Sequence, residues 1–285
     1  MVDTNPLNNC RLAFIGCGVM AEAIIAGLLR RKLVSPEQIV GSHPRQARRE
    51  EMHVKYGIEM FEHNRDAVTD TYPEEPGESS MIVLAVKPQR LHLVLEELKG
   101  SPVKEQLVVS VVAGAKIGTI AEELLHASIV RTMPNTPAQI GEGVTAWTAS
   151  AEVNEKQESQ VCAMFEALGK TVRVENERQI DMATALSATG PTYVFLMMEA
   201  LIDAGVHMGF SRHVAQELVH QTMLGAVLFA RESHKHPAEL RNMVTSPGGT
   251  SAEAIYQMEK GSLRTVLSKA VWAAYQRAEA LGVKR

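Results

Sequence analysis

The residues best suited to chemistry in this chain lie in two glycine-rich turns. Gly16-Cys17-Gly18-Val19-Met20-Ala21 follows the apolar run Leu12-Ala13-Phe14-Ile15, and Ser246-Pro247-Gly248-Gly249-Thr250-Ser251 precedes a helix-like stretch. Each places bare backbone N–H groups where a helix begins, which suits an anion. The first has the spacing of a dinucleotide turn, with Ala21 at the third position, where only close helix–strand packing is needed. In the second, Gly248 and Gly249 permit unusual dihedrals, and Thr250 or Ser251 is expected to cap the helix. Its amides suit a small carboxylate, and the Ser251 hydroxyl can bond a ring nitrogen. The pair suggests an enzyme that brings a dinucleotide to a small acidic substrate.

The end of the second strand bears on which dinucleotide. An NAD site usually carries Asp or Glu there for the ribose 2′-OH. Here stand Gly41-Ser42-His43-Pro44-Arg45 and no acid. Ser42 can donate a hydrogen bond, Arg45 can pair with a 2′-phosphate, and Arg48 and Arg49 add positive charge nearby. NADP(H) is therefore expected, with NAD(H) as the second option. Ala85-Val86-Lys87-Pro88 and Ala113-Gly114 end two further strands, where ligands bind in such sheets. Lys87 is a candidate cofactor contact or catalytic amine, and the small Ala113 and Gly114 are expected to let the cofactor approach. No metal site is expected, since His234 and His236 lack carboxylate or cysteine partners.

The elements that must carry these turns alternate. Leu12–Ile15, Ile39–Gly41, Met81–Val86, Leu107–Val112, Ile129–Val130 and Thr171–Val174 read as strands, and Ala21–Arg31 and Arg48–Tyr56 as helices. Met81–Val86 is apolar throughout, as in a strand covered on both faces. The order argues for an α/β fold with an N-terminal doubly wound, Rossmann-type sheet. Beyond about Glu175 the pattern turns wholly helical, so residues 1–174 form a dinucleotide-binding domain and 175–285 an all-α domain for substrate and dimerisation. Gly190-Pro191 should break its first long helix. Its apolar content exceeds what one small bundle buries, which suits a subunit interface.

Composition narrows the class. The 285 residues are 45% apolar and 22% charged, with a net charge of −4 and 5% aromatics, which argues against a nucleic-acid partner. Three cysteines without metal or disulfide spacing suit a reducing, cytoplasmic setting. Met1-Val2-Asp3-Thr4-Asn5-Pro6 does not read as a secretory signal, and the acidic stretch Tyr72–Glu78 reads as a surface loop. The apolar stretch Tyr193–Met198 reads as too short to span a membrane.

The chain resembles the pyrroline-5-carboxylate reductase family. The resemblance is carried by Phe14 through Ala21, Leu84-Ala85-Val86-Lys87-Pro88-Gln89, Val109 through Gly114, Arg131 through Pro137 and Gly141-Glu142-Gly143. In the helical half it continues with Gly190 through Phe195, Glu199-Ala200-Leu201, Gln221-Thr222, His236-Pro237 and Val244 through Thr250. The Thr-Ser-Pro-Gly-Gly-Thr element is the most specific. The resemblance implies reduction of 1-pyrroline-5-carboxylate to L-proline, the last step of proline biosynthesis. It implies cofactor contacts at Val19, Met20, Ser42, Pro44, Asn64, Ala85, Val86, Lys87 and Ala113. It also implies a substrate carboxylate on the amides of Gly249, Thr250 and Ser251, with the Ser251 hydroxyl orienting or protonating the ring nitrogen. Helical domains of that family dimerise, the dimers often form a decamer, and each site is completed by a neighbouring subunit's helices. Two departures stand out: Ser251 where the family commonly has Thr, and Ala188-Thr189-Gly190-Pro191-Thr192-Tyr193 where Gly-Ser-Gly-Pro-Ala-Tyr is common. The residues alone also leave open a reductase of a related cyclic imine or hydroxyacid, or a non-catalytic NADP-binding sensor.

Overall fold

The computed structural model describes residues 5–75 and 77–282. Residues 1–4 of the N-terminal stretch, and Pro76 of the acidic loop, lie outside them. By packing, the chain divides into two compact units, Met1–Thr189 with Ala274–Arg285, and Gly190–Ala273.

The first unit alternates strands and helices: β1 (Cys10–Ile15), α1 (Val19–Arg30), β2 (Ile39–Ser42), α2 (Gln46–Tyr56), β3 (Glu59–Phe61), α3 (Asn64–Asp70), β4 (Ser79–Leu84), α4 (Pro88–Glu97), β5 (Gln106–Ser110), α5 (Ile117–Leu124) and β6 (Ile129–Met133). There follow β7 (Gly143–Ala149), α6 (Glu155–Glu166), β8 (Gly169–Arg173) and α7 (Glu177–Ala183). The eight strands form one sheet in the order β3-β2-β1-β4-β5-β6-β7-β8. Among the described residues, only the β6–β7 pair is antiparallel. The strand order builds outward from β1 in two directions, with β2 on one side and β4 on the other, which is the switch point where such sheets bind ligands.

Two apolar layers cover this sheet. Leu12, Phe14, Met81, Val83 and Val109 pack on one face with Ile24, Leu28 and Phe165. Ala13, Ile15, Ile82, Leu84 and Val108 pack on the other with Leu91, Leu95 and Ile120. The period-2 geometry of a strand sends neighbours to opposite faces, so an uninterrupted apolar run is what two covered faces require. Two strands were not expected from sequence, β3 and β7. β7 reads Gly-Val-Thr-Ala-Trp-Thr-Ala, a mixture with no clean alternation, and it runs against β6.

Past β8 the chain stays on the sheet for one more helix. Arg131 of β6 is wholly buried and pairs with Glu177 (3.1 Å) and Asp181 (2.5 Å), anchoring α7. After α7 the helix widens into a π turn, Thr184–Ala188. Both the amide and the hydroxyl of Thr189 donate to the Thr184 carbonyl at 2.9 Å. The break expected at Gly190-Pro191 thus takes this form, since Pro191 has no N–H to continue the ladder.

The second unit is helical, with α8 (Gly190–His207), α9 (Arg212–Ser233), α10 (Pro237–Met243), α11 (Thr250–Lys260) and the first half of α12 (Leu263–Leu281). α8 and α9 pack closely where Gly205 meets Ala215. His236 caps α10, its Nδ1 accepting from the Ala238 amide. The helical run Glu177–His207 spans 31 residues and holds a window of mean hydropathy 1.3. By length and composition alone this run is long and apolar enough to cross a membrane, as helices of soluble proteins also can be, and Tyr193–Met198 is only a short part of it.

Candidate active site

Register brings the first half of the site together. Ile15 pairs with Ser42 on one side and Leu84 on the other, and Leu84 pairs with Ser110. The carboxyl ends of four strands are therefore flush. Gly16–Ala21, Ser42–Arg45, Ala85–Pro88 and Ala113-Gly114 leave the sheet along one edge.

The first turn is shaped for a pyrophosphate. Gly16 has φ +88, and a Cβ there would lie 2.6 Å from a Val86 methyl. Gly18 is the residue before α1, makes no side-chain cap, and would meet nothing within 4 Å if given a Cβ. The start of α1 is thus uncapped and open, the condition for an anion to reach its amides. Ala21 is wholly buried, as close packing at the third position demands.

Around the end of β2 the partners differ from expectation. Ser42 is fully buried, and its hydroxyl donates inward to Asn64 Oδ1 at 2.7 Å. Asn64 in turn donates from its amide nitrogen and Nδ2 to the carboxylate of Glu97. Arg48 is engaged by Glu22 and Glu51 and donates from Nε to the Cys17 carbonyl, while Arg49 binds the His43 and Pro44 carbonyls and Glu62. The positive charge expected from Arg48 and Arg49 is therefore spent within the protein. Arg45 is exposed and its guanidinium makes no hydrogen bond or ion pair among the described residues. Burial, then the charge of Arg45, pushes the His43 pKa down, which disfavours a cation on that ring.

Lys87 is exposed immediately before α4. The expectation for Gly114 is corrected in its cause: a Cβ there would lie 2.8 Å from the Leu281 carbonyl carbon, so the end of α12 explains the glycine. Asn135 accepts from the Val144 amide through Oδ1 and donates to Ser187, tying the double-proline turn to the π turn. A hollow of about 630 Å³ lined by Ser79, His126, Lys156 and Gln160 lies beside the start of β4, away from the carboxyl ends where ligands bind in such sheets.

In the second unit, Gly248 has φ +72, a conformation that favours glycine, and Gly249 precedes α11. The expected caps are absent: neither Thr250 nor Ser251 caps the helix, because they occupy its first two positions and not the one before it. The amides of Ala252 and Glu253 bond the Gly249 carbonyl, whereas those of Thr250 and Ser251 make no such bond. The Gly249 amide, also expected to meet the carboxylate, donates instead to the Ser246 carbonyl at 3.1 Å, so the turn leaves two donors and the partly exposed Ser251 hydroxyl for an anion with an adjacent polar atom. Sequence reasoning missed the partners Glu22 and Glu97, for which no local signal exists.

Comparison with known proteins bears on this arrangement. A family model described as pyrroline-5-carboxylate reductase dimerisation matches residues 177–281, and one described as NADP oxidoreductase coenzyme F420-dependent matches residues 11–114. Pyrroline-5-carboxylate reductase of Synechocystis sp. is 40% identical over 274 residues, covering 96% of this chain and 99% of the relative. That of Pseudomonas aeruginosa is 38% identical over 272 residues, covering 95% and 96%. Among solved structures, the Plasmodium falciparum pyrroline carboxylate reductase with NADP bound superposes with a TM-score of 0.86 at 30% identity, over 97% of this chain and 99% of that one. The Coxiella burnetii pyrroline-5-carboxylate reductase gives 0.86 at 36%, over 97% and 100%.

Proposed function

The chain belongs to the pyrroline-5-carboxylate reductase family and is an NAD(P)-dependent oxidoreductase, and from that premise we propose how its residues divide the work of reducing 1-pyrroline-5-carboxylate to L-proline. Bound NADPH supplies the hydride for the C=N carbon. The amides of Val19 and Met20 hold its pyrophosphate, with Gly16 and Gly18 shaping the approach and Ala21 packing beneath. Ala85, Val86, Lys87, Pro88 and Ala113 border it on the strand ends, and Pro44 and Asn64 on the ribose side. Arg45 takes the 2′-phosphate, which favours NADPH over NADH; the unpaired guanidinium and the lack of an acid after β2 support this.

The substrate carboxylate sits on the amides of Thr250 and Ser251, with Gly248 and Gly249 giving it room. The observation that carries this is the uncapped start of α11 with a free hydroxyl at its second position. Ser251 orients the ring nitrogen and delivers or relays its proton. A cyclic iminium is already electrophilic, so orientation and exclusion of water matter more than a strong acid. Ser251→Ala is expected to lower kcat on the order of 100-fold while KM for NADPH stays within about twofold. Unchanged turnover would remove Ser251 from the mechanism.

We place the functional boundary between residues 174 and 175, and the protein in the cytoplasm without nucleic-acid or membrane partners. The exposed apolar side chains of the helical unit, among them Phe195 (59% exposed), Phe229 (52%) and Trp272 (59%), are far more than a monomer leaves in water. A homodimer, built up to a decamer, covers them and accounts for the apolar run Glu177–His207.

A further inference from the structure

We infer that Glu22 and Arg48 are positioning residues that set this enzyme's discrimination between NADPH and NADH, by fixing the pyrophosphate turn against the loop that carries Arg45. Arg48 lies in the first turn of α2, and Arg45 is the residue immediately before that helix. The Arg48 guanidinium makes three contacts at once. Its Nε donates to the Cys17 carbonyl at 2.9 Å, inside the Gly16-Cys17-Gly18 turn. Its Nη2 meets Glu22 at 2.5 Å and its Nη1 meets Glu51 at 2.8 Å. Glu22 stands in the first turn of α1, and its other oxygen accepts from Lys55 at 2.7 Å and Tyr56 at 2.9 Å, in the last turn of α2. One carboxylate on α1 therefore grips α2 at both ends, and one guanidinium joins the starts of the two helices. The Arg48 and Glu22 side chains are only 13% and 20% exposed, so the clamp is partly shielded from solvent.

The consequence falls on one cofactor. A charge-assisted contact to a 2′-phosphate works over a narrow range, about 2.7–2.9 Å, and a shift of α2 of about 1 Å moves Arg45 out of it. NADH has no phosphate there and does not sense the shift. This inference rests on the Arg45 reading given above.

The test measures Kd for NADPH and for NADH by calorimetry without substrate, with steady-state kinetics and thermal stability alongside. The variants are Glu22→Gln, Arg48→Met, their combination, and Arg45→Met. Glu22→Gln and Arg48→Met should each weaken NADPH about tenfold and leave NADH within about twofold, and the double variant should be no worse than Arg48→Met alone. Equal losses for both cofactors, or no loss for either, overturn the inference. So does tighter NADPH binding in Glu22→Gln with weaker binding in Arg48→Met, since Arg48 would then touch the phosphate itself. If Arg45→Met leaves the NADPH/NADH ratio unchanged, the 2′-phosphate reading is wrong and the inference falls with it. If Arg45→Met collapses the ratio while the other two do not, the inference alone fails. Glu22→Gln is isosteric and keeps Arg48, so it decides the matter should Arg48→Met not fold.

Discussion

At the scale of single residues, the cysteine between the two glycines of the dinucleotide turn is a packing residue. Cys17 is wholly buried, and burial pushes its thiol up to about 12, against the opposing pull of Arg48. Cys10 is held at about 12 by burial as well. The thiolate is the reactive form, so both are expected to resist iodoacetamide at pH 8 in the native protein and to react fully once unfolded, as read by mass spectrometry. Rapid native labelling of Cys17 would show that the turn opens. Residue types were legible in the sequence here, but partnerships were not. Ser42 and Arg48 were the right kinds of residue near a 2′-phosphate, yet Asn64 and Glu22 claim them from 22 and 26 residues away. Arg45 is exposed, and no partner claims its guanidinium among the described residues.

At the scale of elements, the apolar run of β4 and the glycine turn before α1 announced themselves, because a covered strand and a phosphate-binding helix start each leave a local pattern. β7 left none: its small and polar residues are buried through the pairing it makes with β6 and β8. The caps of α11 were expected one and two positions too late, at Thr250 and Ser251, whereas Gly249 precedes the helix and Ser251 at its second position is no cap. The α1–α2 clamp carries a pH signature. Burial alone would push the Glu22 carboxyl up, but hydrogen bonds from Lys55, Arg48 and Tyr56 outweigh it and hold the group at about 2. A carboxyl depressed on folding stabilises above its unfolded pKa of 4.5, and that stability is lost as pH falls toward 2. Thermal unfolding of Glu22→Gln should therefore vary less with pH between about 4.5 and 2 than that of the parent. Parallel curves would show that the clamp does not survive in solution.

At the scale of the whole molecule, the sequence showed that the helical half carries more apolar surface than it can bury, and the helical unit leaves Phe195, Phe229 and Trp272 exposed. Sedimentation at micromolar concentration should show a multiple of the 31.2 kDa chain and no free chain; a stable monomer would contradict the proposed assembly. In the mechanism proposed above, the two anion-binding turns serve one reaction. It is tested most directly by following NADPH consumption on addition of 1-pyrroline-5-carboxylate, with NADH run in parallel. Substrate-dependent oxidation that yields L-proline, faster with NADPH at limiting cofactor, is the expected result. Tight NADPH binding with no oxidation by this substrate would contradict it.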